Sequence, residues 1–419
     1  MILQLRKQRF RIILYVGAVM LLGALNLQGQ GIKFQNTSFL NALEAARRAN
    51  KILFVEIYLN GCPHCAALAP VLEEKKVGDF FNANFVSMKL EANSDDSKVI
   101  QTQKGITYVE FPLFLFFDPV TGNLIHQAPP MERPNRAEFI EEVLRHGSDV
   151  LDPGKRSTAY AERYAKGDRD FVFLVNYAKY AKATKNKERL ELLNRDLAKA
   201  LTKPSDAEGK TGFYILQNLI NDVANPLADY FFTNLPKYQA KHPAKEVKDA
   251  GELILFLTMY ESTRAPRLTS QEIASIRERF IKLGVPAKMA NSRTLLKELE
   301  AYFRQKETAK ATARLNQYAK TGYMVFADYA YLVKYFNEKA TDNSYVPSVN
   351  AWVANAASLL KPNEKNTKEV AELYAEQAKA LLKVGNKQEA KKAVQKALDV
   401  GTAAKIDTSN FRSLLASIK

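Results

Sequence analysis

The sequence predicts an α/β sandwich followed by an all-α, solenoid-like helical-repeat region. Three observations lead there. Strand-like runs alternate with helical ones between residues 38 and 145, strand patterns vanish after Asp152, and the last helices carry small and aromatic residues at a repeat-like spacing. A chain of 419 residues exceeds what one hydrophobic core serves, so two domains are expected, at 30–150 and 151–419. An apolar fraction of 47% without Pro or Gly enrichment excludes fibrous and disordered classes.

The first 29 residues are of another kind. Arg6, Lys7, Arg9 and Arg11 form a positive n-region, Ile12–Leu25 is an apolar run, and small residues near Gly29 offer a cleavage point. The pattern predicts a signal peptide over 1–29 and a periplasmic or otherwise exported protein. Left uncleaved, the run would instead anchor the chain to a membrane, although it is short for a permanent span. No cysteine directly follows it, which argues against a lipid anchor.

The sandwich is then read element by element. Phe39, Leu43 and Ala46 mark an amphipathic helix over 38–50. Ile52–Tyr58 is apolar except for Glu56, the pattern of a central strand buried on both faces. Pro63 suits a first helical turn, opening a helix that runs to about Lys76 and is kinked at Pro70. A strand over 84–90, a helix over 94–103 and a strand over 113–117 follow. The turn at Asp118–Gly122 returns the chain as a hairpin strand over 123–127, and a helix over 136–145 closes the unit.

The chemistry centres on Cys62-Pro63-His64-Cys65. These are the only two cysteines in the chain, and in an oxidising compartment they can bond only to each other. A zinc site would need more soft ligands, and His126, His146 and His242 are scattered, so neither a metal nor a cofactor is expected beyond a redox-active Cys62–Cys65 disulfide. A thiol attacks as its thiolate, and the unpaired N–H groups of a helix start favour that anion at Cys62, the expected nucleophile. Pro63 and His64 tune it, His64 by contributing a donor or partial positive charge. Cys65, one turn in and buried, would resolve the mixed disulfide. Glu56 would help to deprotonate it, its own pKa raised by burial; the bland alternative is a carboxylate at a solvated strand end. Pro112 opens a strand, and either an ordinary trans bond or a cis bond that exposes backbone to an extended substrate fits that place.

The run from Phe54 to Pro70 resembles the thioredoxin family, in which an acidic residue lies six before the first cysteine, a proline lies five after the second, and a cis-proline starts a later strand. Glu56, Pro70 and Pro112 hold those places. The resemblance covers about 30–150 and implies a thioredoxin-like sandwich acting as a thiol–disulfide oxidoreductase on exported proteins that carry thiols or disulfides, with a membrane redox partner as a further implication. The Pro63-His64 pair is similar to that of the family's periplasmic oxidants. Gly61 stands where a tryptophan is frequent, and Phe111 is bulkier than the usual residue before the cis-proline; both bear on substrate choice.

For 151–419 the sequence offers helices in pairs. Tyr374, Ala378, Gly385, Ala390 and Ala397 resemble a tetratricopeptide-type helix-turn-helix over 368–401, and earlier segments look like degenerate versions; a compact irregular bundle is the alternative. Trp352 and the tyrosines of 323–335 read as packing residues. A repeat surface commonly holds a protein partner, so the competing function is a binding or assembly protein with a thioredoxin-like docking or redox-sensing domain. The net charge of +16 is spread along helices, as at Lys182, Lys185 and Lys187, with no aromatic-basic platform for nucleic acid; it is read as solvated helix surface, with an acidic partner or lipid headgroups as the other outlet.

Overall fold

The structure, a computed structural model, describes residues 31–418 apart from 202 and 322. The expected signal segment at 1–29 lies outside the described residues. Two compact units divide the chain, the first ending at Ala207 and the second beginning at Glu208.

The first unit holds a five-stranded sheet ordered β1-β3-β2-β4-β5, formed by β1 (Phe34–Gln35), β2 (Ile52–Tyr58), β3 (Phe85–Glu91), β4 (Leu113–Phe117) and β5 (Leu124–Ala128). β3 runs parallel to β1 and β2, while β4 is antiparallel to both β2 and β5. The helices interleaved with these strands are α1 (Phe39–Ala49), α2 (Pro63–Leu72), α3 (Lys75–Asn84), α4 (Asp95–Gln103) and α5 (Arg136–Leu151). Local chemistry sets their ends. Ser38, Ser94 and Asn135 accept backbone N–H groups as N-caps, and Asn50 closes α1 in the left-handed conformation.

The strand period of two divides the core. Leu53, Val55 and Ile57 of β2, with Leu113, Leu115 and Phe117 of β4, pack on the face covered by α1 and α4. Phe54, Phe114 and Phe116 turn to the other face, against Leu68, Val71 and Leu72 of α2, Phe81 of α3 and Phe139 of α5. Phe54 is the hub of that layer, its ring centroid 4.9 Å from those of Phe81 and Phe114. Glu56 follows Phe54 by two residues, so the same alternation turns it toward the α2 side.

The sequence reading recovers these elements, with α5 running on to Leu151 rather than ending at Arg145, and with two larger differences. The helix expected to run to Lys76 ends at Leu72, two residues after Pro70, and a separate helix, α3, occupies 75–84. The two-residue strand β1 at the sheet edge was not anticipated, because two residues carry no readable period.

Three further helices belong to the same unit: α6 (Tyr160–Ala165), α7 (Phe171–Ala183) and α8 (Lys187–Ala200). The second unit is helical throughout its described residues. Its helices at Lys368–Lys383 and Lys387–Ala403 fold back on one another across Gly385, which has φ +74°, and bury Ala378, Ala390 and Ala397. Trp352 is buried and donates its Nε1–H to Asn316 Oδ1 at 2.7 Å, a packing role. Tyr329 is buried likewise, whereas Tyr323 and Tyr331 are exposed, so the tyrosines of 323–335 do not all serve the core.

Two buried histidines of the first unit, His126 and His146, have pKa values lowered by burial, which opposes the protonation that acid brings. His126 on β5 accepts the Ser157 N–H at Nδ1 (3.0 Å), and burial, reinforced by the charges of His146, Arg145 and Arg156, pushes its pKa from 6.5 down to about 3. The folded chain therefore binds this proton less readily than the unfolded one. Its contribution is complete above pH 6.5 and lost as the pH falls toward 3. We predict that His126→Asn, whose amide oxygen can take the place of Nδ1, loses less stability between pH 7 and pH 4.5 than the parent in urea denaturation. Equal losses in the two proteins would remove His126 as the cause.

Candidate active site

The site forms where β2 runs out and α2 begins. The chain turns at Leu59, Asn60 and Gly61, and the Cys62 N–H closes the turn on Leu59 O at 3.1 Å. Gly61 has φ +77°, a conformation costly for any residue with a Cβ. That explains one departure noted in the sequence: a bulky residue before Cys62 would be strained in this turn.

Cys62 is the N-cap of α2, and Pro63 sits at its first position, where no N–H is missed. The Cys62 sulfur accepts the Cys65 N–H at 3.3 Å, doing for this helix what a serine oxygen does for α1. The two sulfurs lie 2.7 Å apart as free thiols, near enough for a bond to form with little movement. Cys62 is partly exposed and Cys65 buried, so only the first meets an incoming molecule. Burial, followed by the hydrogen bond to Cys62, pushes the Cys65 thiol up to about 11.

Beneath the pair, Glu56 is fully buried, which removes the solvated-strand-end alternative. Burial raises its pKa, and Lys89 pulls part of that shift back. Register explains the partner: in the parallel β2/β3 ladder Glu56 stands opposite Lys89, whose Nζ lies 3.2 Å from Oε1. Oε2 makes no hydrogen bond among the described residues. Negative charge on Glu56 in turn adds to the cost of a Cys65 thiolate, which places the two groups within electrostatic reach.

The rim comes from two loops. The Phe111–Pro112 bond is cis, which closes the question the sequence left open, and the Cys62 thiol faces Phe111 O at 3.8 Å. Pro112 is buried and Phe111 partly so, its ring set edge-on to Tyr108. His64 is exposed on the other side, where its Nδ1 lies 3.3 Å from Glu132 Oε2. The structure thus brings together Cys62, Cys65, Glu56, Pro63 and Pro112, and directs His64 to a carboxylate of the loop before α5. Lys89 and Glu132 were missed from sequence. Lys89 follows from strand register, which a single sequence does not show, and nothing local distinguishes Glu132.

Comparison with known proteins finds likenesses for the N-terminal part of the chain. The model of a family described as thioredoxin-like matches residues 35–119. Among solved structures, the chain is similar to a solution structure from Bacteroides thetaiotaomicron provisionally assigned as a disulphide-isomerase, with 26% identity over 29% of this chain and 96% of that one, at a TM-score of 0.24. No curated protein matches. The chain therefore consists of a thioredoxin-like N-terminal domain followed by a predominantly helical region.

The two thiols should differ sharply toward alkylation. A thiol near pKa 11 is only about a thousandth ionised at pH 8, and Cys65 is shielded as well. Brief iodoacetamide treatment of the reduced protein should give a single adduct, on Cys62, by peptide mass spectrometry; equal labelling would contradict the site as described.

Proposed function

We propose that this protein is a thiol–disulfide oxidoreductase that exchanges disulfides with exported proteins. The observation that carries the reading is the placement of an accessible sulfur at a helix N-terminus, 2.7 Å from a buried second sulfur. A thioredoxin-like fold around that pair supports it, and the basic and apolar pattern of residues 1–29 supports export.

The chemistry runs in two exchanges. The Cys62 thiolate attacks one sulfur of a substrate disulfide, forming a Cys62–substrate bond and releasing the other substrate sulfur as a thiolate, which takes up a proton. Cys65 then loses its proton and attacks the Cys62 sulfur. The Cys62–Cys65 disulfide forms, and the substrate leaves fully reduced. Run backward, the same steps oxidise a substrate dithiol.

The slow proton is the one on Cys65. Glu56, buried on the α2 side of β2 with its pKa raised, is suited to accept it, and Lys89 offsets part of that rise. Cys62 is partly exposed at the start of α2, where solvent can take its proton.

Replacing Cys62 with Ser should abolish reduction of insulin disulfides. Cys65→Ser should trap the Cys62–substrate mixed disulfide, visible on a non-reducing gel, and failure of any adduct to accumulate would argue against the scheme. Glu56→Gln should slow the second exchange by about 10- to 100-fold near pH 7 while leaving the first nearly unchanged, as resolved by quenched-flow kinetics. The reduction potential against glutathione sets the direction of electron flow: a value near about −270 mV marks a reductase and one near about −120 mV an oxidant.

A further inference from the structure

Gly105–Pro112 joins α4 to β4 without regular secondary structure, yet it ends beside the attacking sulfur. Its position is fixed from outside the sandwich. The Thr107 N–H donates to Ala183 O, at the end of α7, at 2.8 Å. Two residues before Pro112, the Glu110 carboxylate meets Lys179 of the same helix, with Nζ 2.8 Å from Oε1. The Lys179 side chain is 6% exposed and that of Glu110 23%. On its other flank the loop is tied to α4, where the Tyr108 and Ser97 hydroxyls hydrogen-bond at 2.8 Å.

A lysine buried to this degree is costly unless it is paired. Its neighbours on α7, Tyr177 and Ala178, pack into the core, and nothing in the helix itself calls for a cation there. Lys182, read from the sequence as solvated surface, corrects that reading in the same direction. It is half-buried, and burial lowers its pKa while Glu110 pulls it back up. Lys185 and Lys187 stay exposed, as expected. Two cations of one helix therefore converge on the carboxylate next to Phe111.

We propose that Lys179 and Glu110 are positioning residues: with the Thr107–Ala183 hydrogen bond, they hold the Glu110-Phe111-Pro112 segment at the distance from Cys62 at which a disulfide-bearing polypeptide docks. The helix α7 in this way braces the docking loop from outside the sandwich. Its contribution is to polypeptide docking, because the pair touches the loop and neither sulfur. A small disulfide that reaches Cys62 without pairing along the loop does not depend on it. The inference rests on the thiol–disulfide exchange reading above.

The test uses the full chain with two substrates, a disulfide-bonded protein such as insulin and glutathione disulfide, and reads Cys62 alkylation as a third measure. Lys179→Met keeps the aliphatic stem and removes the charge. It should raise KM for the protein substrate by about tenfold, while kcat, exchange with glutathione disulfide and the alkylation rate stay within about twofold. Lys179→Arg should retain the parent KM, and the charge-swapped double variant Glu110→Lys/Lys179→Glu should recover most of it. Glu110→Gln provides the same readout where Lys179→Met does not fold. An unchanged KM in Lys179→Met or Glu110→Gln overturns the proposal. So does a parallel fall in all three measures, which marks general loss of structure. If the parent protein exchanges with neither substrate, the oxidoreductase reading itself fails, and that result is seen before any variant is made.

Discussion

The capping of α2 by the sulfur of Cys62 is the contact on which the site depends. A helix start leaves backbone N–H groups without partners, and here one of them is satisfied by the reactive atom itself. The same hydrogen bond serves structure and site geometry, since it follows the turn after β2 and fixes the sulfur at the start of the helix. It requires β2 to stop, the chain to reverse within three residues, and the helix to begin at once. Gly61 and Pro63 are the two residues whose backbone preferences meet those demands.

Burying a carboxylate under this arrangement is expensive, and the surroundings show how the cost is limited. Glu56 stands on the aromatic side of the sheet, where Phe54, Phe114 and Phe116 offer no hydrogen bonds. The facing strand places Lys89 beside it, and that lysine remains one-third exposed, so it neutralises part of the charge without being desolvated itself. A fully buried ammonium would hold Glu56 ionised and unable to accept a proton. A purely apolar setting would keep it protonated. Partial compensation of this kind suits Glu56 to the proton-accepting role proposed for it.

The α/β domain and its reactive pair were legible because their signals are local. An apolar strand interrupted once by Glu56, a cysteine directly after it and a proline at the next helical position are short-range facts, and so is the alternation that divides the core. What escaped was set by contacts distant in sequence. Lys89 depends on strand register, β1 on an edge pairing of two residues, and Lys179 on which face of α7 meets the sandwich. The separate helix α3 was hidden for another reason: the charged run Glu73-Glu74-Lys75-Lys76 where the two helices meet suits a helix as well as a break, and it holds no glycine or proline to mark where α2 stops.

Lys179 also bears on how a catalytic domain of this kind can acquire a specificity of its own. In the proposed scheme the two sulfurs and Glu56 lie within ten residues, on the strand-turn-helix unit of β2 and α2. The loop proposed to receive the substrate has no such internal support, since between Gly105 and Pro112 it has no regular secondary structure. Loops of that length keep a fixed shape only when something outside them over-determines it. Here α7 does so through one backbone hydrogen bond and one buried charge pair. On the proposed reading, substitutions on α7 would alter which polypeptides are accepted while leaving the sulfur chemistry intact, because that helix braces the loop from outside the strand-turn-helix unit.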